Sequence, residues 1–353
     1  MTLLSILVFI LILGVIVLVH EFGHFIWAKK FGVHIYEFSI GMGPVLFTHE
    51  GKDKIKYRLR ALPIGGFVQM AGEVYEDDEK IDKEKFMCNK PWHQRLIIIV
   101  AGVVNNFILA ILLLFLYAII WGSPTDSTII TKVEKNYPME KAGIIAGDKI
   151  IGVNGKKVTS WDKAQILLLL KSKDNTYEIK IEHKDKTVDT YKIKPKKEYD
   201  KELKSNRYVF GFVIKQKVNK GFVSSLKYAF VKFASIMNTM WLTIKNLVTG
   251  NLSFKNISGP VGVYQVVNSG LAAGISYLIY ITAFLSLNVG FINILPLPAF
   301  DGGRAFFMLI EKIRRKPINS KIENTVHAVG FILLLILMLF ITWQDILRLF
   351  KWK

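Results

Sequence analysis

Residues 17–28 read VLVHEFGHFIWA, and three of them can do chemistry: His20, Glu21 and His24. On a helix, positions i and i+4 share one face, so His20 and His24 can hold a single divalent cation. Glu21 lies about 100° round the turn, close enough to act on a water beside that cation. The chemistry this implies is metal-assisted hydrolysis. The setting sharpens the reading, because the apolar run that holds these groups begins at Leu3. An ionised carboxylate at mid-helix in hydrocarbon costs roughly 2.5 kcal/mol or more. A zinc ion offsets the burial of two imidazoles and gives Glu21 a task, which a structural polar cluster does not. A catalytic zinc usually has three protein ligands and an open position for water. The sequence offers a third ligand, Asp301, in NILPLPAFDGGR (293–304), at the end of another apolar run. Pro296 and Pro298 forbid a regular helix there. Gly302 and Gly303 allow close backbone approach.

Such a site needs apolar elements to carry it. The chain has 353 residues, 51% of them hydrophobic, with a mean hydropathy of +0.33. That is too apolar for an ordinary soluble protein of this length. A bilayer-spanning helix needs about 20 apolar residues, and four segments qualify: 1–28, 95–122, 271–304 and 324–345. The first is too long for a signal peptide and lacks a basic start and a small-residue cleavage site. The net charge is +19, yet few of the basic residues are Arg. Excess Lys in a four-span protein reads as contact with anionic lipid head groups, and no nucleic-acid partner is expected. The single cysteine, Cys88, excludes an intramolecular disulfide.

The Lys and Arg residues of short loops set orientation. Residues 305–323 form a basic loop that should face the cytoplasm, and Lys29 and Lys30 agree with it. Both termini and the soluble segment 123–216 then lie outside, and the polar cluster sits near the cytoplasmic side. Between the spans, 29–94 reads as a membrane-associated β-hairpin region: KIKYRLR (54–60) alternates as a strand, and GMGP (41–44) and PIGGFVQMAGE (63–73) supply turns. The acidic stretch 76–85 reads as a solvated surface element. Residues 123–216 alternate as strands around an Asn154–Gly155 hairpin turn, with a short amphipathic helix over 161–172. This is an independent α+β domain. In 217–270, Leu226, Phe230, Phe233, Met237, Met240 and Trp241 recur at helical spacing, which predicts an amphipathic helix on the membrane surface, followed by a linker. Interrupting lysines argue against a fifth span.

HEFGH in the first span, AGVVNNF in the second, GMGP…PIGGFVQMAGE between them and NxLPxPxxDGG in the third resemble the site-2 protease family of intramembrane zinc metalloproteases. EKAGIIAGDKIIGVNGKKVTSW (140–161) is similar to a PDZ domain of the bacterial members, and ISGPVGVYQV (257–266) to the motif before their third span. Some relatives carry two PDZ domains where this chain has room for one, and Gly102–Val103 stands where Gly-Pro is frequent. The resemblance implies a polytopic α-helical membrane protein with membrane-associated β-hairpins and one extracytoplasmic PDZ-like domain, in the bacterial cytoplasmic membrane. It implies Zn2+ held by His20, His24 and Asp301, with Glu21 as general base. Asn293 would help hold substrate or the developing oxyanion. Asn106 matches the second-span asparagine, with Asn105 as its neighbour, and an interhelical hydrogen-bond role stands beside the catalytic one. The implied substrates are single-span membrane proteins, such as anti-sigma factors or remnant signal peptides, already cut once outside. The edge around Lys54–Arg60 or Gly65–Met70, with Gly65, Gly66 and Phe67, could clamp the opened substrate as an added strand, or only plug the cytoplasmic side. The PDZ-like domain could capture a peptide or exclude bulky ectodomains.

Overall fold

The structure is a computed structural model that describes residues 3–73, 81–170, 173–200, 205–252, 258–316 and 318–350. From the N-terminus the chain forms helix α1 (Leu3–Lys30), strands β1 (Ile35–Glu50) and β2 (Lys56–Met70) and helix α2 (Trp92–Trp121). Next come β3 (Ser123–Pro124), β4 (Lys132–Val133), one helical turn α3 (Pro138–Lys141), β5 (Lys149–Val153), β6 (Lys156–Lys157) and helix α4 (Trp161–Leu169). Strands β7 (Tyr177–Glu182), β8 (Val188–Ile193), β9 (Lys196–Asp200), β10 (Ser205–Val209), β11 (Phe212–Val213) and β12 (Val218–Asn219) follow. The chain closes with helices α5 (Phe222–Val248), α6 (Pro260–Ala273), α7 (Ile275–Ile294), α8 (Asp301–Arg314) and α9 (Ser320–Phe350).

Among the described residues, four helices are long and apolar enough to cross a membrane: α1, α2, α7 and the stretch Lys321–Leu347 of α9. The chain is a membrane protein with sheet-bearing regions between its apolar helices. Its contacts divide it into two compact units, one built from residues up to Leu113 with Gly259–Trp343, the other from Leu114–Ser258 with residues from Gln344 on.

In the first unit, α1 is an unbroken apolar helix. It ends where Gly32 takes a left-handed conformation (φ 66°), with Val33 N–H bonded back to the Ala28 carbonyl at 2.9 Å. Lys29 and Lys30 fill its last turn, where the helix dipole favours cations. Its face bearing Ile12 and Ile16 packs on Val267 of α6 and on Ile281 and Leu285 of α7. Strands β1 and β2 do more than form short hairpins. Their register is doubled: Phe38 stands opposite both Val68 and Tyr57, and Ile40 opposite both Gly66 and Leu59, while Leu59 also faces Phe47. The pair thus folds into four segments side by side, 45–50, 56–60, 35–40 and 66–70, with 66–70 on one edge. Positive φ at Gly41, Gly43 and Gly65 permits the reversals. Glu37, almost fully buried, holds the layers by accepting from Arg58 and from Arg60, whose Nη2 is 2.6 Å away. Phe38, Val68 and Met70 pack against Phe25 of α1 and Ile98 of α2.

The helix boundaries differ from the expected ones in three places. The third apolar segment, read as 271–304, is helix only to Ile294. Leu295 turns to extended backbone because Pro296 follows it, and a separate helix begins at Asp301. The basic loop expected over 305–323 is helical as far as Arg314, with Met308 buried inward and Glu311 paired with Arg95 at 3.2 Å. The 217–270 segment contains a second helix, α6, where a linker was expected; Pro260 starts it at a position where a missing N–H is harmless. The acidic stretch 76–85 falls partly outside the described residues, as 76–80 do, and Lys83–Lys85 form a short 3-10 turn. Cys88 is free and exposed.

The second unit is an α+β fold. Its main sheet is antiparallel with order β6-β5-β7-β8. Asn154 and Gly155 both take positive φ (49° and 72°) at the β5–β6 turn, as a two-residue hairpin requires. Ile150, Val153, Ile179 and Ile181 on one sheet face bury against Ala164 and Leu167 of α4. Ser160 caps α4 by accepting from Lys163 N–H at 3.1 Å. Helix α5 docks on this unit through Lys232, whose Nζ reaches both carboxylate oxygens of Asp162 at 2.7 Å.

Candidate metal centre

His20 and His24 sit on one face of α1, and the sharp break after α7 brings Asp301 to them. Asp301 Oδ2 lies 3.1 Å from His20 Nε2 and 3.4 Å from His24 Nε2. The two Nε2 atoms are 3.3 Å apart. Both imidazoles are buried. Their outer nitrogens decide what the inner ones carry. His24 Nδ1 meets the Ile98 carbonyl at 2.8 Å; a carbonyl only accepts, so the hydrogen is on Nδ1 and Nε2 presents a bare lone pair. His20 Nδ1 is 3.2 Å from the side-chain amide of Asn106, a fully buried residue. With its amide nitrogen toward the ring, Asn106 leaves Oδ1 without a hydrogen-bond partner among the described residues. Turning the amide over lets Oδ1 accept from His20 Nδ1–H and frees His20 Nε2 as well.

Three lone pairs then converge, with Asp301 Oδ2 itself accepting no hydrogen bond among the described residues. Such an arrangement repels unless a cation lies within it. Tetrahedral zinc holds nitrogen and oxygen donors at about 2.0–2.2 Å, which separates neighbouring donors by roughly 3.3 Å. The observed spacings of 3.1, 3.3 and 3.4 Å match. Among the described residues, this is the group of histidine and carboxylate side chains able to hold a metal.

Local backbone explains how Asp301 arrives. A Cβ on Gly302 would stand 2.3 Å from the Leu295 carbonyl oxygen, and one on Gly303 would stand 2.3 Å from that of Leu297. The first turn of α8 is therefore pressed onto the end of α7 at a distance that glycine alone permits. Ala299, two residues before the ligand, is held at φ 75°, a conformation that costs a non-glycine residue about 1 kcal/mol or more. Gly102 of α2 faces the ligands from the other side: a Cβ there would lie 2.4 Å from His24 Nε2 and 2.8 Å from His20 Cε1.

A cavity of about 320 Å³ opens on the cluster, walled by His20, Glu21, His24 and Asp301, by Phe67, Val68 and Met70 of β2, and by Glu73, Ala299, Phe300, Arg304 and His327 among others. Glu21 thus shares a cavity with the three candidate ligands. Of the clamp candidates Gly65, Gly66 and Phe67, only Phe67 lines it, while Gly65 lies against Met42. A Cβ on Gly66 would lie 3.5 Å from Glu21 Cγ. Asn293 is in the last turn of α7, half-buried, and does not line the cavity. Asn105 ties α2 to α1 by donating to the Val19 carbonyl at 3.2 Å. Sequence reasoning missed Gly102, the ion pair between Glu73 and Arg304 across the cavity, and His327.

The profile of peptidase family M50 matches residues 8–337. The chain belongs to that family. The likeness to site-2 proteases is borne out over nearly the whole length, and the chain is a metalloendopeptidase of that type. A protein of Clostridium acetobutylicum, provisionally named a zinc metalloprotease, is 35% identical over 347 residues, covering 98% of each chain. A Staphylococcus aureus protein with the same provisional naming is 32% identical over 433 aligned positions, with 99% of each covered. The zinc metalloprotease RasP of Shouchella clausii is 32% identical over 423, covering 98% of this chain and all of its own.

Proposed function

We propose that this protein is an intramembrane zinc protease that cuts single-span membrane proteins within or near their membrane segments. The observation that carries the reading is the convergence of Asp301, at the start of α8, on His20 and His24 beside Glu21 of α1, a helix apolar enough to lie in a bilayer. Zinc, when bound to those three residues, acidifies a water molecule and polarises a peptide carbonyl. Glu21 accepts the proton of the attacking water and passes it to the departing amine. Asn106 and the Ile98 carbonyl hold the two imidazoles in register. Asn293 is retained as an expected substrate contact on resemblance alone.

A membrane helix hides its carbonyls in its own hydrogen bonds, so the substrate must open before it is cut. The 66–70 edge beside Glu21 suits capture of the opened stretch as an added strand, with Gly65 and Gly66 allowing close approach. The α+β unit, read as PDZ-like and extracytoplasmic, would admit substrates already trimmed outside, by binding a peptide end or by excluding bulk. Placement in the bacterial cytoplasmic membrane follows from the family likeness, and the orientation, termini outward and active site toward the cytoplasm, rests on the basic residues after α1 and α7. Anti-sigma factors and remnant signal peptides are the expected substrate types. The test is cleavage of a single-span reporter by purified protein in detergent or liposomes. Glu21→Gln should bind one zinc and cut at least about 10²-fold more slowly. Equal rates for the two proteins would refute the assignment.

A further inference from the structure

His327 belongs to α9 and played no part in the motif reading, yet it forms part of the wall of the metal cavity. Its two ring nitrogens have different fates. The main-chain N–H of Ala299 donates to Nδ1 at 3.1 Å. An amide N–H can only donate, so Nδ1 is the bare nitrogen and a neutral ring carries its hydrogen on Nε2. That Nε2 is buried and has no hydrogen-bond partner among the described residues. Of the other polar groups of the wall, Glu73 and Arg304 pair with each other, His20, His24 and Asp301 face one another, and Glu21 is the expected general base. The ring is packed by a real neighbour: the Phe307 ring lies 5.7 Å from it.

A buried donor left without an acceptor costs free energy, and it is retained where a ligand completes it. We propose that His327 is a substrate-binding residue, whose Nε2–H donates to a main-chain carbonyl oxygen of the opened peptide in the cavity. Main-chain carbonyl is the chemistry that fits. The opened stretch of a membrane helix brings carbonyls that have lost their own partners, and the rest of this wall, with Phe300, Met87 and Phe331, is apolar. The proposal rests on the protease reading and deepens it: α9 contributes a recognition group to a site whose catalytic residues come from α1 and α8. The same side chain also steadies the Ala299 backbone ahead of Asp301, so any test must separate the two nitrogens.

Two substitutions separate them. In His327→Asn, the amide oxygen replaces Nδ1 as acceptor and nothing replaces Nε2. In His327→Gln, an amide nitrogen reaches the Nε2 position. With the full-length protein in detergent and a single-span reporter, His327→Asn should raise KM about 10-fold while the zinc content and Tm stay at wild-type values. His327→Gln should keep KM within about 3-fold of wild type. Binding of a fluorescent membrane-segment peptide, measured in a Glu21→Gln background where nothing is cut, should weaken by the same factor in His327→Asn. Equal binding with and without that change overturns the proposal while leaving the protease reading intact. Loss of zinc in His327→Asn would reduce the residue to a backbone support and overturns it too. A peptide bound by neither protein overturns both readings.

Discussion

Replacing Gly102 with alanine should empty the metal centre without unfolding the helices around it. The added Cβ would stand 2.4 Å from His24 Nε2 and 2.8 Å from both His20 Cε1 and His24 Cε1. Comfortable contact is about 3.5 Å, so the His24 ring must retreat by roughly 1 Å, against a tolerance of about 0.2 Å in a metal–ligand distance. The ring cannot follow a shifted helix α2 for free. The Ile98 carbonyl that holds its Nδ1 is on that same helix, and Gly23 packs against the Ala101 carbonyl with no room for a Cβ. Loss of a supporting partner alone costs about 10–100-fold in metal affinity, and a displaced ligand costs more, so zinc affinity should fall by about 100-fold or beyond. Helix stability moves the other way, because alanine is favoured over glycine in a helix interior by about 1 kcal/mol. The assay is chelator competition for the zinc dissociation constant, with zinc-to-protein ratio and Tm recorded with and without EDTA. Gly102→Ala should give a protein as stable as metal-free wild type, with the zinc-dependent rise in Tm gone. Stoichiometric zinc with a dissociation constant near wild type, and unchanged cleavage, would refute the packing argument.

Asn106→Leu keeps the branched shape near His20 but removes the partner of its Nδ1, and should weaken zinc binding about 10–100-fold while the protein stays folded; unchanged affinity would mean the Asn106 contact does not orient the ring. In the second unit, burial pushes the Asp126 carboxyl above its ordinary 3.8, helped by the neighbouring Asp162 carboxylate, although the Trp161 N–H at 2.7 Å and Lys232 act against the rise. An acid whose folded pKa is raised favours the fold fully below its unfolded value and loses that contribution as pH climbs through the raised one. Hydrogen exchange in α4 and α5 should therefore quicken across that window in wild type and much less in Asp126→Asn, whose side-chain oxygen still accepts from Trp161. The same pH slope in both proteins would assign the effect to another group.

Much of the site was legible because apolar surroundings make polar residues informative. His20, Glu21, His24 and Asp301 are costly in lipid unless something employs them, and the proline break after Ile294 marked where the fourth would turn inward. Gly102 carried no such signal: its importance lies in what faces it from another helix, which local sequence does not encode. His327 reads along the chain as a lone imidazole near a helix end, and only the loop folded over it at Ala299 reveals a purpose. The fold was misread where one property hid another. Counting Lys and Arg over 305–323 gave an orientation but concealed the helical spacing that buries Met308. The end of 217–270 was read as a linker after the amphipathic helix, although Pro260 and Val267 serve a packed helix. The strand signal in 54–60 was sound, yet the doubling of partners along β1 depends on glycine bends that alternation cannot foretell.

The candidate ligands His24 and Asp301 stand 277 positions apart along the sequence, with the α+β unit between them. At about 5–20 residues added per second, an interval on the order of 15–55 s separates the emergence of His24 from that of Asp301. Throughout that time the nascent polypeptide holds only the first pair of donors, a loose grip for zinc. A hydrolase assembled in this order is inert until α8 has been made, and a truncated product that stops short of α8 poses no danger to its neighbours in the membrane.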